Sequence, residues 1–585
     1  MSFQNQDNFV FEKILDEPAF QKPFLKKDLN IIYDDNGSGT YNTNQIRFST
    51  ELCANNGFYN NYSEGLVALP LIFALKSSVA NPNANTYASF DLALALKNSH
   101  LNLIHSLSID FNGTNLVQPI DYLNQYMIFL QHTTLSSEDE KLNGSLLGYA
   151  KDSSTSWGYS ATASTQGQGL YNNSNPFIGV EAGSLNEGEI ANKGLIARQK
   201  YISRFGTNGK DAVLGGDVKK QNLNYVTVDG TNALVYYYTA YIRLSDLPFF
   251  KEMKMMRGGV FRINVTLNNN VQFQFRKNTV GTLEYVAGSY INNSGKTNPL
   301  MICASMDVIK THTNHSGASS GEGVAQANVT SSTVADVYYP CGSSCIPSLD
   351  ANVYTVKMGI GNITVSNVVY THELQKCRLY IPYYSFLGDA ENTYLSTKEK
   401  VIDYLDVYRY EFDATGGASF GPRLITNGLA RMKRLIMVGI MKSTGNGNLG
   451  LSASESPFTT EPATTSPFRI SNFNVQVGNI NLYANPITYS YEQFLLEMNG
   501  QQGVNANLTP GICSGRISLT DYNNNYHYIV VNLERRKPEL ENTLQSLQVQ
   551  GTLDSPKDMT FYCFVEYYKT IVIDVETGII KNTQL

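Results

Sequence analysis

Histidines three apart, paired cysteines and clustered carboxylates are the patterns in this chain that could carry chemistry. His312 and His315, in THTNH, have a spacing that metals use. The small polar residues around them supply no cysteine or carboxylate to complete a tetrahedral site, so the segment reads as a flexible linker. Cys341 and Cys345, in CGSSC, read as a reduced loop, with a disulfide as the alternative. Glu138, Asp139 and Glu140 are clustered acids, but Ser137-x-x-Glu140 is a capping box, and acids at a helix start serve the helix dipole. NGSGT at Asn36 has the glycines of a phosphate loop without its Lys-Ser/Thr, and reads as a turn. There is no Gly-x-Ser-x-Gly elbow. The tyrosine runs could stack on sugars, yet tyrosine is also an ordinary strand and interface residue. No catalytic, cofactor-binding or metal-ligating residue is therefore assigned, and neither a cofactor nor an enzymatic activity is expected.

The elements that would hold any site are more informative, because the chain uses one pattern twice. Ile104 to Leu130 reads IHSLSIDFNGTNLVQPIDYLNQYMIFL, and 470 to 496 reads ISNFNVQVGNINLYANPITYSYEQFLL. Each begins with strict alternation: Leu107, Ile109 and Phe111 share one face, as do Phe473, Val475 and Val477. Period two predicts a strand with one buried face. Each then turns through Asn112-Gly113 or Gly478-Asn479, residues that tolerate positive φ. Each reaches Pro-Ile-x-Tyr, and the proline is expected to open a helix. Ile120, Leu123, Met127 and Leu130 form one helical stripe; Tyr491, Leu495 and Met498 form the other. The order repeats downstream. YYYTAYIRL and VFRINVTL follow the first copy, YHYIVVNL and LQSLQVQGTL the second, and LMICASM from Leu300 and FYCFVEYY from Phe561 are expected to close the two sets. Two similar β-domains in tandem are predicted.

Composition agrees. A chain of 585 residues exceeds a single core. It is 42% hydrophobic but only 16% charged, so much of its surface is neutral and suited to being covered by other subunits. A net charge of −6 argues against sequence-wide nucleic-acid binding, which needs basic surface. The longest apolar run, GLVALPLIFAL from Gly65, is too short to span a membrane and is expected to be a strand buried on both faces. The opening MSFQNQDNFVFEKILDE has no apolar core, so no secretory signal is expected, and Asn61, Asn112 and Asn362 are expected to carry no sugar. Seven cysteines in mostly isolated, strand-like contexts suggest reduced, buried thiols.

In chain order, 1–44 reads as an arm and 45–310 as a first β-domain, interrupted by a long loop at about 135–232 that contains the only tryptophan, Trp157. Residues 311–335 read as a linker and 336–585 as a second β-domain. Closely spaced strands, few helices and long Gly/Asn connections predict an all-β chain of antiparallel sandwiches or barrels.

The run from Ser106 to Tyr159 (SLSIDFNGTNLVQPIDYLNQYMIFLQHTTLSSEDEKLNGSLLGYAKDSSTSWGY) resembles the major capsid proteins of virophages and polinton-like viruses. The shared pattern is an alternating strand, an Asn-Gly turn, Val-Gln, Tyr-Leu-Asn, Ser-x-x-Asp/Glu, Leu-Gly-Tyr and Ser-Trp. It covers about a tenth of the chain, and the tandem repeat extends it. The resemblance implies a double jelly-roll of two eight-stranded sandwiches with long loop insertions and a few short helices. It implies homotrimeric, pseudo-hexameric capsomers that tile an icosahedral virion shell, with minor capsid and penton proteins as further partners and synthesis in host cytoplasm or a viral factory. The loop at 135–232 would then form an outward tower or clasp a neighbour, and deleting most of 160–225 should leave both sandwiches foldable but weaken the trimer. The alternative is a tandem β-sandwich adhesin or glycan-binding protein; a β-rich glycan hydrolase would need a carboxylate pair in a cleft.

Overall fold

The computed structural model describes residues 24–77 except 36–40 and 42–43, then 92–152, 192–203, 225–227, 233–312 with short breaks, 336–340, 353–442, 452–499, 517–534 and 542–584, less three single residues. The calls on NGSGT, Trp157, CGSSC and the His315 side of THTNH lie outside the described residues.

Eighteen strands and six helices carry the argument. They run β1 (Phe24–Tyr33), β2 (Gln45–Ser49), β3 (Leu66–Ser77), β4 (Ile104–Phe111), β5 (Thr114–Val117), α1 (Leu123–Thr134), α2 (Ser137–Leu147), α3 (Lys193–Ser203), β6 (Ala233–Arg243), β7 (Phe261–Leu267), β8 (Val271–Lys277), β9 (Val353–Ile360) and β10 (Arg378–Phe386). After these come α4 (Gly388–Leu395), β11 (Glu399–Ala414), β12 (Ser419–Leu429), β13 (Met432–Met441), β14 (Ile470–Val477), β15 (Ile480–Asn481), α5 (Tyr491–Asn499), α6 (Leu519–Asn524), β16 (Ile529–Asn532), β17 (Gln545–Leu553) and β18 (Met559–Asp574).

The C-terminal sandwich pairs β11-β18-β13-β16 in one sheet and β12-β17-β14-β15 in the other. With its eight strands numbered along the chain, the sheet orders are 1-8-3-6 and 2-7-4-5. The N-terminal sandwich pairs β2-β7-β4-β5 in one sheet. In the other, β1 pairs β10, β10 pairs the start of β3, and β3 pairs β6 along its length. With β10 as its eighth strand, this sandwich has the same two orders. The fold is a double jelly-roll: all-β, antiparallel, with one strand order used twice.

The repeated pattern folds as its periodicity requires. Leu107, Ile109, Phe111, Phe473, Val475 and Val477 are all buried, while residues between them on β4 are part-exposed. Asn112, Gly113 and Gly478 have positive φ. Strand β3 is buried on both faces, as expected. Leu71 and Phe73 face the sandwich core, and Ile72 and Ala74 are covered by the hairpin of Asn362–Val365 and Val368–Thr371.

Four expectations need correction. Residues 24–33 are not arm: β1 pairs with β10 over its whole length and sinks Ile32 into the core. The closing strand of the first set is not LMICASM, whose Leu300–Ala304 pairs with Leu92–Leu96 in a separate ribbon. It is RLYIPYYSF, β10, directly after buried Cys377. Consequently Val353–Ile360 and Arg378–Phe386, placed by the sequence beyond a linker at 311–335, belong to a sheet of the first sandwich, and α4 follows them before the second. Alternation identifies strands but cannot say which of several joins a given edge, because that pairing is non-local. Finally, the prolines do not open the helices. Helix α1 starts at Leu123, after Tyr122 in a left-handed conformation, and α5 starts at Tyr491. The capping box also lies one residue earlier than read: Ser136 Oγ accepts from Asp139 N at 2.9 Å and Asp139 Oδ2 accepts from Ser136 N at 3.0 Å. Ser136 has the extended backbone that an N-cap needs, and Ser137 is already helical.

Candidate functional site at the seam between the sandwiches

Charged side chains are sparse in this chain, yet several are fully buried where the sandwiches meet. Helix α1 belongs to the first sandwich by sequence, but it lies on the outer face of β18 in the second. Residues 561, 563 and 565 point into the second core; Tyr562, Phe564 and Glu566 point at α1. Tyr122 packs against Tyr562 and Tyr126 against Phe564. Covered on both sides, α1 is buried almost all round, from Leu123 through Thr133. A single amphipathic stripe did not foretell that.

At the centre, the Tyr126 hydroxyl donates to Glu566 Oε1 at 2.7 Å, and Arg434 Nη2 donates to the same oxygen at 2.7 Å. The Arg434 guanidinium sits 5.5 Å from the Phe129 ring centre. Burial, and then the charge of Glu566, holds the Tyr126 hydroxyl well above its ordinary pKa, so it donates throughout the physiological range. An ion pair this deep gives little net stability against apolar packing, but it is costly to break and fixes how α1 sits on β18.

A second buried group ties the loop after Leu92–Leu96 to the 452–466 loop. Lys97 Nζ donates to Ser456 O at 2.9 Å and to Glu461 O, and Ser466 Oγ donates to Glu461 Oε1 at 3.0 Å. Burial pushes the Lys97 ammonium down and the Glu461 carboxyl up. Close by in the chain, Arg198 of α3 pairs with Asp152 at 2.7 Å and donates to Leu96 O and Ala150 O. Asp152 N donates to Tyr526 Oη at 3.1 Å, and Lys151 Nζ meets Asp521 at 2.6 Å. Asp521 is itself the N3 residue of a second capping box, with Ser518, at the start of α6. The repeat therefore extends into Ser136-x-x-Asp139 and Ser518-x-x-Asp521, a signal present in the sequence but unread there.

Three buried histidines lie in this region, of which His132 crosses between the sandwiches. His132 contacts Ala463 O through Nε2 at 3.2 Å, and His100 lies between Tyr241 O and the Tyr238 hydroxyl at 2.8 Å each. His527 packs between the rings of Phe468 and Tyr522. Burial pulls His100 and His132 down to about 4 and His527 to about 3, so all three are neutral near pH 7. The tyrosines of the two Tyr-rich strands serve this packing: Tyr526 and Tyr528 are fully buried and Tyr238 bonds His100. The seam closes at a backbone contact. Arg257 N donates to Val575 O at 2.7 Å and Asn112 Nδ2 donates to Gly578 O at 2.7 Å.

The acids Glu138, Asp139 and Glu140 occupy the first turn of α2, as read from the sequence. Cys53, Cys377 and Cys563 are buried thiols, and burial raises the pKa of each. Among the described residues no cluster of three or more His, Cys, Asp or Glu could hold a metal ion, and no helix is long and apolar enough to cross a membrane. The geometry is that of a rigid joint between two sandwiches.

No family model and no curated protein matches the chain. Its structural neighbours are viral major capsid proteins. The cryo-EM structure of the Sputnik virophage aligns over 98% of this chain and 92% of its own, at 12% identity and a TM-score of 0.47. The mavirus major capsid protein aligns over 98% and 92%, at 9% identity and TM-score 0.45. The Faustovirus major capsid protein aligns over 97% and 94%, at 10% identity and TM-score 0.41.

Proposed function

We propose that this chain is a major capsid protein whose work is assembly rather than catalysis. The observation that carries the reading is the same eight-strand order used twice, with a helix of the first sandwich seated on the sheet of the second. Two like sandwiches in fixed relation make one third of a near-sixfold ring, so three copies would form a pseudo-hexameric homotrimer. Such trimers would tile an icosahedral virion shell, with minor capsid and penton proteins as partners and with no cofactor or sequence-wide grip on nucleic acid. The contacts that cross the seam support this role: Tyr126 to Glu566, Lys97 to Ser456 O and Lys151 to Asp521 would hold the two sandwiches at a fixed angle, which a tiling unit needs.

The test is the solution mass of the purified full chain by size exclusion with light scattering. A mass near three times 64.8 kDa that resists dilution, with hexagonal outlines in negative stain, is the expected result. A stable monomer that binds glycans on an array would overturn it in favour of an adhesin.

A further inference from the structure

The outer face of the second sandwich's β11-β18-β13-β16 sheet is covered by α1. The matching outer face of the first sandwich, on β1-β10-β3-β6, is only in part covered by the described residues. On β1 the odd residues point away from the core, and four of them are large and apolar: Leu25, Leu29, Ile31 and Tyr33, which are 70%, 53%, 42% and 52% exposed. On the adjoining β10, Ile31 pairs with Tyr380 and Tyr33 with Arg378, both part-exposed on the same face. Lys27, paired with Glu64 at 3.0 Å, stands between Leu25 and Leu29, and the consecutive outward side chains Leu29, Ile31 and Tyr33 form an apolar patch of the kind that marks an interaction surface. The Arg378 guanidinium lies 5.4 Å from the Tyr33 ring centre, and its Nε finds no hydrogen-bond partner among the described residues.

The chain also carries the element that the repeat would place there. Counting from the tyrosine of Pro-Ile-x-Tyr, four and seven residues beyond Tyr122 lie Tyr126 and Phe129, the two α1 side chains at the centre of the seam. Four and seven beyond Tyr489 lie Gln493 and Leu496, on α5. Leu496 is 58% exposed, with Glu492 exposed one turn earlier on the same helix face. Helix α5 packs inward through Phe494 and Met498, and no described residue covers this outer side.

We infer that the Leu25–Tyr33 face of the first sandwich is the seat for α5 of a second copy of this chain. The contact repeats between chains what α1 does within one. Leu496 takes the place of Phe129 over the apolar row, and Glu492 supplies negative charge to a face that carries Arg378, as Glu566 answers Arg434 inside the chain. The contact is head-to-tail, because α5 and its seat are different surfaces, and such contacts close into a ring when the rotation permits. This inference rests on the capsomer reading and names the surface that would build it.

The experiment uses full-length chains carrying Ile31→Asp or Leu496→Asp. Both positions are exposed, so each variant should keep the wild-type far-UV circular dichroism and a cooperative melt yet run as a monomer by light scattering at micromolar concentration. Mixing the two is decisive. The Ile31→Asp chain keeps an intact α5 and the Leu496→Asp chain keeps an intact seat. The mixture should therefore form a one-to-one dimer of about twice 64.8 kDa that cannot close into a ring. If both variants stay trimeric, this surface assignment fails while the capsomer reading stands on another interface. If the wild type is itself a monomer, both fail. If Ile31→Asp lowers the melting temperature and leaves the mass trimeric, the face is not the subunit contact and the inference is overturned.

Discussion

Glu566 shows what a single residue does here. It is fully buried, accepts from Tyr126 of one sandwich and pairs with Arg434 of the other. Glu566→Ala leaves a buried guanidinium without its partner and should cost about 3–5 kcal/mol in urea unfolding. Glu566→Leu combined with Arg434→Met should recover most of that loss; a double variant as weak as the single would show that the pair itself, not the orphaned charge, carries the energy. The histidines act through pH. The folded values of His100, His132 and His527 lie below the ordinary value of about 6.5, so the unfolded chain takes up protons first as pH falls. Their contribution is full above pH ~6.5 and is lost progressively towards about pH 4 for His100 and His132 and about pH 3 for His527, by on the order of 3 kcal/mol or more for each group. Urea unfolding at pH 7.5 and 4.5 measures this. His527→Phe, placed between two rings, should remove about a third of the slope; an unchanged slope would count against the histidines as its source.

At the scale of elements, the turn around Gly578 illustrates how tightly the sandwiches meet. Gly578 has φ +72°, and a Cβ there would lie 2.4 Å from the backbone nitrogen of Gly259 in the first sandwich. Backbone cannot rotate aside as a side chain can. Gly578→Ala should therefore cost well over the ~1–2 kcal/mol of a left-handed alanine. Gly417, at φ +71° with open space around it, is the control and should cost only that amount on mutation to alanine. Equal losses for the two, read by thermal melting, would mean that the seam yields at this point. Helix α3 tells a similar story. It falls inside the stretch expected to be a loop, yet Arg198 inserts between Leu96 O, Ala150 O and the Asp152 carboxylate, which Asn192 hydrogen-bonds but for which Arg198 supplies the cation.

At the scale of the molecule, α3 changes what a loop deletion should do. Removing 160–225 takes away Arg198 and strands Asp152, so that chain should lose much of its stability. Removing only 160–188 spares α3 and should leave the melting temperature near that of the full chain, while weakening the proposed trimer if this loop clasps a neighbour. The two readouts are melting and solution mass. A trimer that persists at nanomolar concentration without 160–188 would sink the clasp.

Local physics sets much of this architecture. The period-two runs at 104–111 and 470–477, their Asn-Gly and Gly-Asn turns, the doubly buried β3 and the duplication itself are legible in the sequence, because each depends on residues a few positions apart. The identity of the eighth strand is not: β10, Leu300–Ala304 and β9 all read as strands, and only hydrogen bonds formed over hundreds of residues select β10. Nor could α1 announce its burial on every side, since half of its partners come from β13 and β18, some three to four hundred residues on. The buried charges were the least visible. A Glu in a strand reads as solvent-facing until a tyrosine and an arginine, brought from distant elements, replace the water it would otherwise need.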